Sequence, residues 1–412
     1  MPILLQIAVE GNVGSTGTIA EALGQHVINM GWESYIAHGR FPRPSASRVI
    51  RIGSDFDVLL HGLETRLFDR HCLGSRKATK KLIKQIQAIN PDIIHLHHLH
   101  GYYINIKLLF DYLSMAKISV VWTFHDCWSM TGHCCHFDYV CCEKWKTECD
   151  NCPQKKEYPK SLFIDRSKKN YNLKKRLFKS VPEMIIVSVS KWLDGNVSQS
   201  FLKNVDHQVI YNGVDIDVFK PSKNQDSTLV KYEISGCFVI LGVASSWGKK
   251  KGIEDFIELG KYLKNDEKII LVGLSAEQQE KLPANIIGLS KTENKQQLVD
   301  LYNTADVFMN LSVEETFGLT TAEALACGTP AIVYNATACP ELIDLETGIV
   351  VEKKDMSGLV NAISIIKRNG KEFYSKKCRN RAVLNFNKAD RFQEYLILYQ
   401  ELLNTKTNAN IN

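Results

Sequence analysis

The chain has 412 residues, 44% hydrophobic and 23% charged, which describes a globular protein with more than one core and excludes a disordered or fibrous chain. No apolar run approaches the roughly eighteen residues of a membrane span, and the start MPILLQIAVEGNVG lacks the features of a secretory signal, so a cytoplasmic protein is expected. The net charge of +6 divides into +9 over residues 1–205 and −3 over the rest, so the first half suits an anionic partner, phosphorylated lipid or acidic membrane rather than nucleic acid.

In chain order, ILLQIAV (3–9) is a short apolar strand that runs into Gly11, Gly14 and Gly17, after which Ile19, Leu23 and Val27 recur at helical spacing. Strand patterns return at 91–98, 119–126 and 184–190, each ending in polar residues. Between them, seven of the twelve cysteines fall in Cys127–Cys152, inside an insert of about 127–160. In a cytoplasmic chain such a cluster points to metal or reduced thiols rather than disulfides. RSKKNYNLKKRLFK (166–179) carries seven basic residues and no acid, with Tyr171, Leu173, Leu177 and Phe178 interleaved, and reads as a surface helix that touches anionic lipid.

A second series of strands is expected at 207–212, 237–244, 268–273, 284–290, 305–312 and 329–334, with helices at 252–264, 294–303 and 320–327. Strands alternating with helices imply parallel sheets whose ligands gather at the strand C-termini. The fold class is therefore α/β, with an N-terminal domain 1–205, a linker near 200–221, a second domain 206–385, and a terminal helix 386–412 that crosses back to the first domain.

The stretch EETFGLTTAEALACGTP (314–330) carries the most specific chemistry. The N–H groups at the helix start, Gly318, Leu319 and Thr320, suit a diphosphate or sugar hydroxyls, and Phe317 just before them is expected to contact the same donor. Gly318 lets the backbone approach a ligand. Glu323 can accept from vicinal ribose hydroxyls, and Glu315 from hydroxyls of a transferred sugar. Lys251, in KKKG (249–252), can neutralise a departing diphosphate without a metal ion. The Gly11–Gly17 loop offers backbone N–H groups, Gly14 among them, to the same diphosphate, although it has neither a P-loop lysine nor GxGxxG spacing. His125 and Asp126 end a strand, and His97 is taken to line a cleft, with no carboxylate or thiol near the histidine run in sequence. Cys134, Cys142, Cys149 and Cys152 have the count and spacing for one structural zinc, with Cys127, Cys135 and Cys141 crowding the same region.

The 314–330 segment resembles the Glu-x7-Glu signature of family-4 retaining glycosyltransferases. VIYNGVDIDVFKP (209–221), VSKWL (189–193) and KKKGIEDFI (249–257) resemble that family's interdomain strand, preceding strand end and Lys-Gly element. HLHHLHGYYIN, TFHDCWSMTGHC and CEKWKTECDNCP resemble the branch that builds colanic acid and O-antigen polysaccharides. The resemblance implies a GT-B fold, two Rossmann-like domains facing across a cleft. It implies transfer of a hexose, with retention, from a nucleoside diphosphate sugar, UDP ahead of GDP. The acceptor it implies is a glycan linked to undecaprenyl diphosphate, with the enzyme peripheral at the inner membrane and no cofactor needed for catalysis. It places His125 against donor sugar and acceptor, with Lys251 and Glu315, as catalytic residues, and Gly11, His97 and Asp126 on the acceptor side. The family's usual arginine is Ser246 here, which leaves Lys249 or Lys250 to supply the second cation. An epimerase or phosphorylase on the same fold, and a zinc-organised scaffold without activity, are the alternatives.

Overall fold

The computed structural model describes residues 1–222 and 226–409. By contact the chain divides into two units, residues 1–210 with 392–412 and residues 211–391; the sequence places the corresponding boundaries near 206 and 386.

Unit 1 holds seven parallel strands: β1 (Ile3–Glu10), β2 (Glu33–Arg40), β3 (Arg48–Arg51), β4 (Ile93–Leu96), β5 (Ser119–Phe124), β6 (Met184–Ser188) and β7 (Asp206–Val209), in the order β3-β2-β1-β4-β5-β6-β7. Its helices are α1 (Gly14–Asn29), α2 (Asp55–Phe68), α3 (Arg76–Ile89), α4 (Ile106–Leu113), α5 (Ser167–Phe178) and α6 (Lys191–Gln199). Unit 2 holds six parallel strands: β8 (Phe238–Val243), β9 (Glu267–Val272), β10 (Ile286–Leu289), β11 (Val307–Asn310), β12 (Ala331–Tyr334) and β13 (Gly348–Val351), in the order β10-β9-β8-β11-β12-β13. Its helices are α7 (Asp226–Lys231), α8 (Ile253–Leu259), α9 (Ala276–Gln279), α10 (Lys295–Thr304), α11 (Leu319–Ala326), α12 (Met356–Asn369) and α13 (Lys371–Phe386). The helix α14 (Lys388–Ala409) then runs from unit 2 into unit 1.

These strands are short and almost wholly apolar because both faces of a parallel sheet are covered by helices. β4 and β5 have no exposed residue. Beneath them, Phe392, Tyr395, Leu396, Leu398 and Tyr399 of α14 join Leu4, Leu23, Ile93, Val121 and Val187 in one core. Burial contributes about 1.5–3 kcal/mol for each of Phe392, Leu396 and Leu398. Two polar bonds fix the register of this helix: Tyr399 Oη lies 2.6 Å from His95 Nδ1, and Tyr395 Oη lies 3.0 Å from Thr123 Oγ1.

In each sheet the connections reverse direction once, between β1 and β4 in unit 1 and between β8 and β11 in unit 2. The loops leaving such a neighbouring pair diverge and open a crevice beyond the strand C-termini, where α/β folds bind ligands.

α5 corrects the expectation for the basic stretch 166–179. Tyr171, Leu177 and Phe178 are buried in unit 1 and are not offered to lipid. Lys174 is buried as well: its ammonium donates to the carbonyls of Trp128 and Thr131 at 2.7 and 3.0 Å and lies 3.3 Å from the Trp128 ring centre. The helix's apolar stripe serves the core, and only its basic face reaches solvent.

Candidate active site

In unit 2 the loops after β8 and β11 bring together the residues singled out in the sequence. The Lys249–Lys251 turn is tied to the β11 loop by Val313 N–H donating to Lys250 O at 2.9 Å. Lys251 Nζ then meets Glu315 Oε2 at 2.6 Å, and Lys250 Nζ meets the buried Glu314 Oε2 at 2.7 Å. Burial works against the Lys251 charge, but the Glu315 carboxylate more than offsets it, and the ammonium is held above its ordinary value. Glu315 is positioned by its own backbone: its N–H donates to Thr337 Oγ1 at 3.0 Å and its carbonyl accepts from Ala338 N–H at 3.2 Å.

Gly318 caps α11 with φ of +101°, a left-handed conformation that a side chain would strain, and no side chain caps the helix start. Leu319 and Thr320 follow, half-buried, at that N-terminus. One turn on, Glu323 accepts a hydrogen bond from Tyr302 Oη at 2.9 Å. Burial pushes its carboxyl up to about 7, with Tyr302 acting in the opposite sense. Phe317 departs from the expectation of a donor contact: its ring is buried between Tyr211 and Phe386, so it anchors the turn from below. Ser246 sits exposed on the β8 loop, beside Trp247, whose indole N–H donates to Val272 O at 2.9 Å. Lys249 pairs with Glu254 at 3.4 Å on the surface.

In unit 1 the parallel pairing of β4 and β5, with His95 opposite Val121 and Leu96 opposite Trp122, carries the following residues to the same edge. His97 therefore meets His125, and His98 and His100 meet Asp126. The carboxylate that the histidine run lacks nearby in sequence is brought to it by the fold: His100 Nε2 lies 2.6 Å and His98 Nε2 3.4 Å from Asp126 Oδ2. Burial opposes the Asp126 charge, but His100 and His98 hold the carboxyl well below its usual range. Among the described residues this trio is the one group whose potential metal-ligating atoms all lie within 4.8 Å. Thr16 Oγ1, one turn into α1, lies 3.2 Å from His98 Nδ1, which joins the glycine loop to the cluster. Gly14, exposed with φ of +65°, opens α1 without a side-chain cap, while Gly11 is buried and bonded through its backbone to Arg40 and Arg43.

His97 does not line an open surface. It is buried, with Nε2 3.0 Å from Gln6 Oε1 and Nδ1 3.2 Å from His125 Nε2. The Gln6 amide nitrogen donates to Ala20 O at 2.8 Å, so its oxygen faces His97. His97 then carries its proton on Nε2 and accepts on Nδ1, and His125 donates from Nε2. In a neutral His125 ring, Nδ1 is then the nitrogen without the proton. Burial, reinforced by neighbouring imidazoles, holds both rings well below their ordinary pKa and therefore neutral.

Two families of sequences match this chain: a "Glycosyltransferase Family 4" model over residues 16–218 and a "Glycosyl transferases group 1" model over residues 230–383. A "Putative colanic acid biosynthesis glycosyl transferase WcaC" of Escherichia coli is 24% identical over 430 residues, covering 97% of this chain and all of that protein. An Escherichia coli "UDP-Gal:alpha-D-GlcNAc-diphosphoundecaprenol alpha-1,3-galactosyltransferase" is 28% identical over 216 residues, 48% of this chain and 55% of that protein. Anabaena Alr3699/HepE, solved in complex with UDP and glucose, superposes with a TM-score of 0.68 at 14% identity, covering 97% of this chain and all of that one. The fold is GT-B and the protein is an enzyme, a glycosyltransferase. It belongs to glycosyltransferase family 4.

The sequence missed the pairing of Lys250 with Glu314 and the participation of His98, His100 and Thr16. The signal for the first was present in adjacent repeats, KKK and EE, read one residue at a time.

Proposed function

We propose that the enzyme transfers a hexose from a nucleoside diphosphate sugar, with UDP ahead of GDP, to a glycan carried on undecaprenyl diphosphate, with retention at the anomeric carbon, in the assembly of a bacterial surface polysaccharide. The observation that carries this reading is the Lys251–Glu315 pair beside the open N-terminus of α11, with Glu323 one turn further on. An ammonium and free peptide N–H groups suit a diphosphate, and two carboxylates suit sugar and ribose hydroxyls. The relatives' names, one for a UDP-galactose donor with a diphosphoundecaprenol acceptor and one for colanic acid, support the finer choice of substrates.

In the proposed reaction the bond from the anomeric carbon to the diphosphate oxygen breaks through an oxocarbenium-like state. The acceptor oxygen bonds to that carbon on the same face, and its proton passes to the departing diphosphate. Lys251 and the α11 N–H groups stabilise the developing charge. His125, held neutral, is placed against the donor sugar and acceptor, as the family resemblance implies.

A lipid-borne acceptor calls for contact with a membrane, and the described residues form no helix long and apolar enough to cross one. The surface that suits lipid is α2, not the apolar residues of α5. Phe56 and Leu59 are 66% and 67% exposed, and Leu60 and Leu63 lie on the same helical face. Asp69, just past α2, binds the start of α5 through Arg166 N–H and Asn170 Nδ2, so the end of α2 is joined to the start of the basic helix. Sedimentation with anionic phosphatidylglycerol vesicles is expected to capture the protein, and Leu59→Ser with Leu63→Ser to weaken capture about tenfold. Equal capture of the double variant would remove α2 from this role.

The decisive test offers UDP-, GDP- and ADP-sugars with a synthetic glycosyl diphosphate lipid. Formation of an α-linked product from an α-linked UDP-sugar is the expected result. Inversion, or release of free sugar or an epimerised donor without acceptor, would overturn the assignment.

A further inference from the structure

The cysteine-rich insert is a region that the reaction does not use and that the elements around it do not explain. Between Cys127 and Arg166 the chain forms only two single 3-10 turns, Trp128–Met130 and Lys144–Lys146. Trp128 and Met130 at its start are buried in unit 1, but from Cys135 to Arg166 the large buried apolar side chains are Phe137 and Trp145, whose ring centres lie 4.5 Å apart, while Leu162, Phe163 and Ile164 are exposed. Such a segment lacks the burial needed to hold one conformation and needs a cross-link. No disulfide is formed among the described residues, so none supplies it.

Cys134, Cys142, Cys149 and Cys152 line one small cavity, together with His133. Three further observations give that cavity the character of an ion site. First, its sulfurs already act as polar partners: Cys134 and Cys152 are hydrogen-bonded to each other, and Gly132 N–H donates to Cys149 Sγ at 3.3 Å. The donor stands that close because Gly132 has no Cβ, which would lie 2.1 Å from Ser167 O. Second, His133 Nδ1 is bound to buried Asp69 Oδ1 at 2.7 Å, while its Nε2, also buried, has no partner. His133 thus puts a buried, unsatisfied polar nitrogen into the lining of the same cavity as the four cysteines. Third, the buried ammonium of Lys174 bonds two carbonyls and pairs with no carboxylate among the described residues, while Cys134, Cys135 and Cys149 are among the groups that act on it electrostatically. A buried cation without a counter-charge is costly, and four thiolates around a divalent ion carry a net charge of −2 that would balance it.

We infer that Cys134, Cys142, Cys149 and Cys152 bind one zinc ion as thiolates, and that this ion is the structural cross-link of the insert. Four thiolates fill a tetrahedral shell and leave no position for substrate or water, so the role is structural. No three of the sulfurs stand within 4.8 Å of one another among the described residues, so binding the ion requires the thiols to draw closer together. Zinc rather than calcium or magnesium follows from the soft ligands. The insert adjoins the active-site histidines through Cys127 N–H, which donates to Cys135 O at 2.9 Å directly after Asp126.

The test is metal content of the full-length protein purified under reducing conditions, with and without added zinc. About one zinc per chain is expected, with charge-transfer absorption typical of four thiolates when cobalt replaces it. Cys149→Ser with Cys152→Ser should lose the metal, whereas Cys141→Ser and Cys237→Ser should retain it. Because the double variant can fail to fold, the wild-type protein is also titrated with a mercurial reagent, which should release zinc in step with thiol modification. Wild-type protein that stays metal-free after exposure to zinc, or controls that lose zinc as readily as the ligand variant, would overturn the inference.

Discussion

The two candidate ligand-binding edges of this enzyme use opposite electrostatics. In unit 2 the edge is built from full charges that face one another, Lys251 with Glu315 and Lys250 with Glu314. In unit 1 neutral imidazoles, His97 and His125, stand beside a single anion, Asp126, that His100 holds. The first edge is suited to a group that arrives and leaves as an anion, because Lys251 can exchange Glu315 for phosphate oxygens. The second, with neutral rings and one carboxylate already held, is suited to hydroxyls rather than to an anion.

The sharpest way to break this contrast is to remove the cation. Lys251→Ala is expected to lower kcat/KM for transfer by about 10²–10³ and to weaken binding of the nucleoside diphosphate. Glu315→Ala should damage transfer while sparing the affinity for free nucleotide, as read by calorimetry. If both variants lose nucleotide binding alike, the division of roles between the two residues fails. On the other edge, His125→Ala should cost about 10² in transfer, with nucleotide affinity unchanged.

A smaller effect sharpens the comparison through pH. The Glu323 carboxyl is raised in the folded protein from 4.5 to about 7, so protonation favours folding. Its contribution is fully present below the unfolded value and is lost as pH rises through about 7. Ribose hydroxyls prefer the ionised form, so nucleotide affinity should run the other way and grow several-fold from about pH 6 to 8. Glu323→Gln should flatten both trends, in melting temperature and in titration. A Glu323→Gln protein that keeps the wild-type pH profile would assign the effect elsewhere.

Much of this was legible in the sequence, and the exceptions have physical causes. The strands β8, β9, β11 and β12 and the start of α11 follow from apolar runs punctuated by Gly and Pro, and local pattern suffices for them. β2, β3 and β13 were not anticipated: Ser34 and His38 break the apolar run of β2, β3 is only four residues, and GIVV in β13 is too short to show a period. Lys251 and Glu315 could be named because each sits in a distinctive motif, but their contact depends on β8 and β11 being sheet neighbours, which no local pattern states. The same holds for Asp126, 26 residues beyond His100 in sequence and 2.6 Å away in space. The apolar residues of 166–179 were misassigned because a helix that packs on a core and one that lies on lipid share the same period.

The packing of α14 beneath β4 and β5 also bears on the order in which the protein acquires its structure during synthesis. A ribosome delivers all of unit 2 before residues 392–403 emerge, yet Tyr395 and Tyr399 bind Thr123 and His95 in the middle of unit 1. The half made first is therefore finished last. Until then its sheet leaves the Leu4, Ile93 and Val121 face open, and the nascent chain exposes a surface that chaperones recognise.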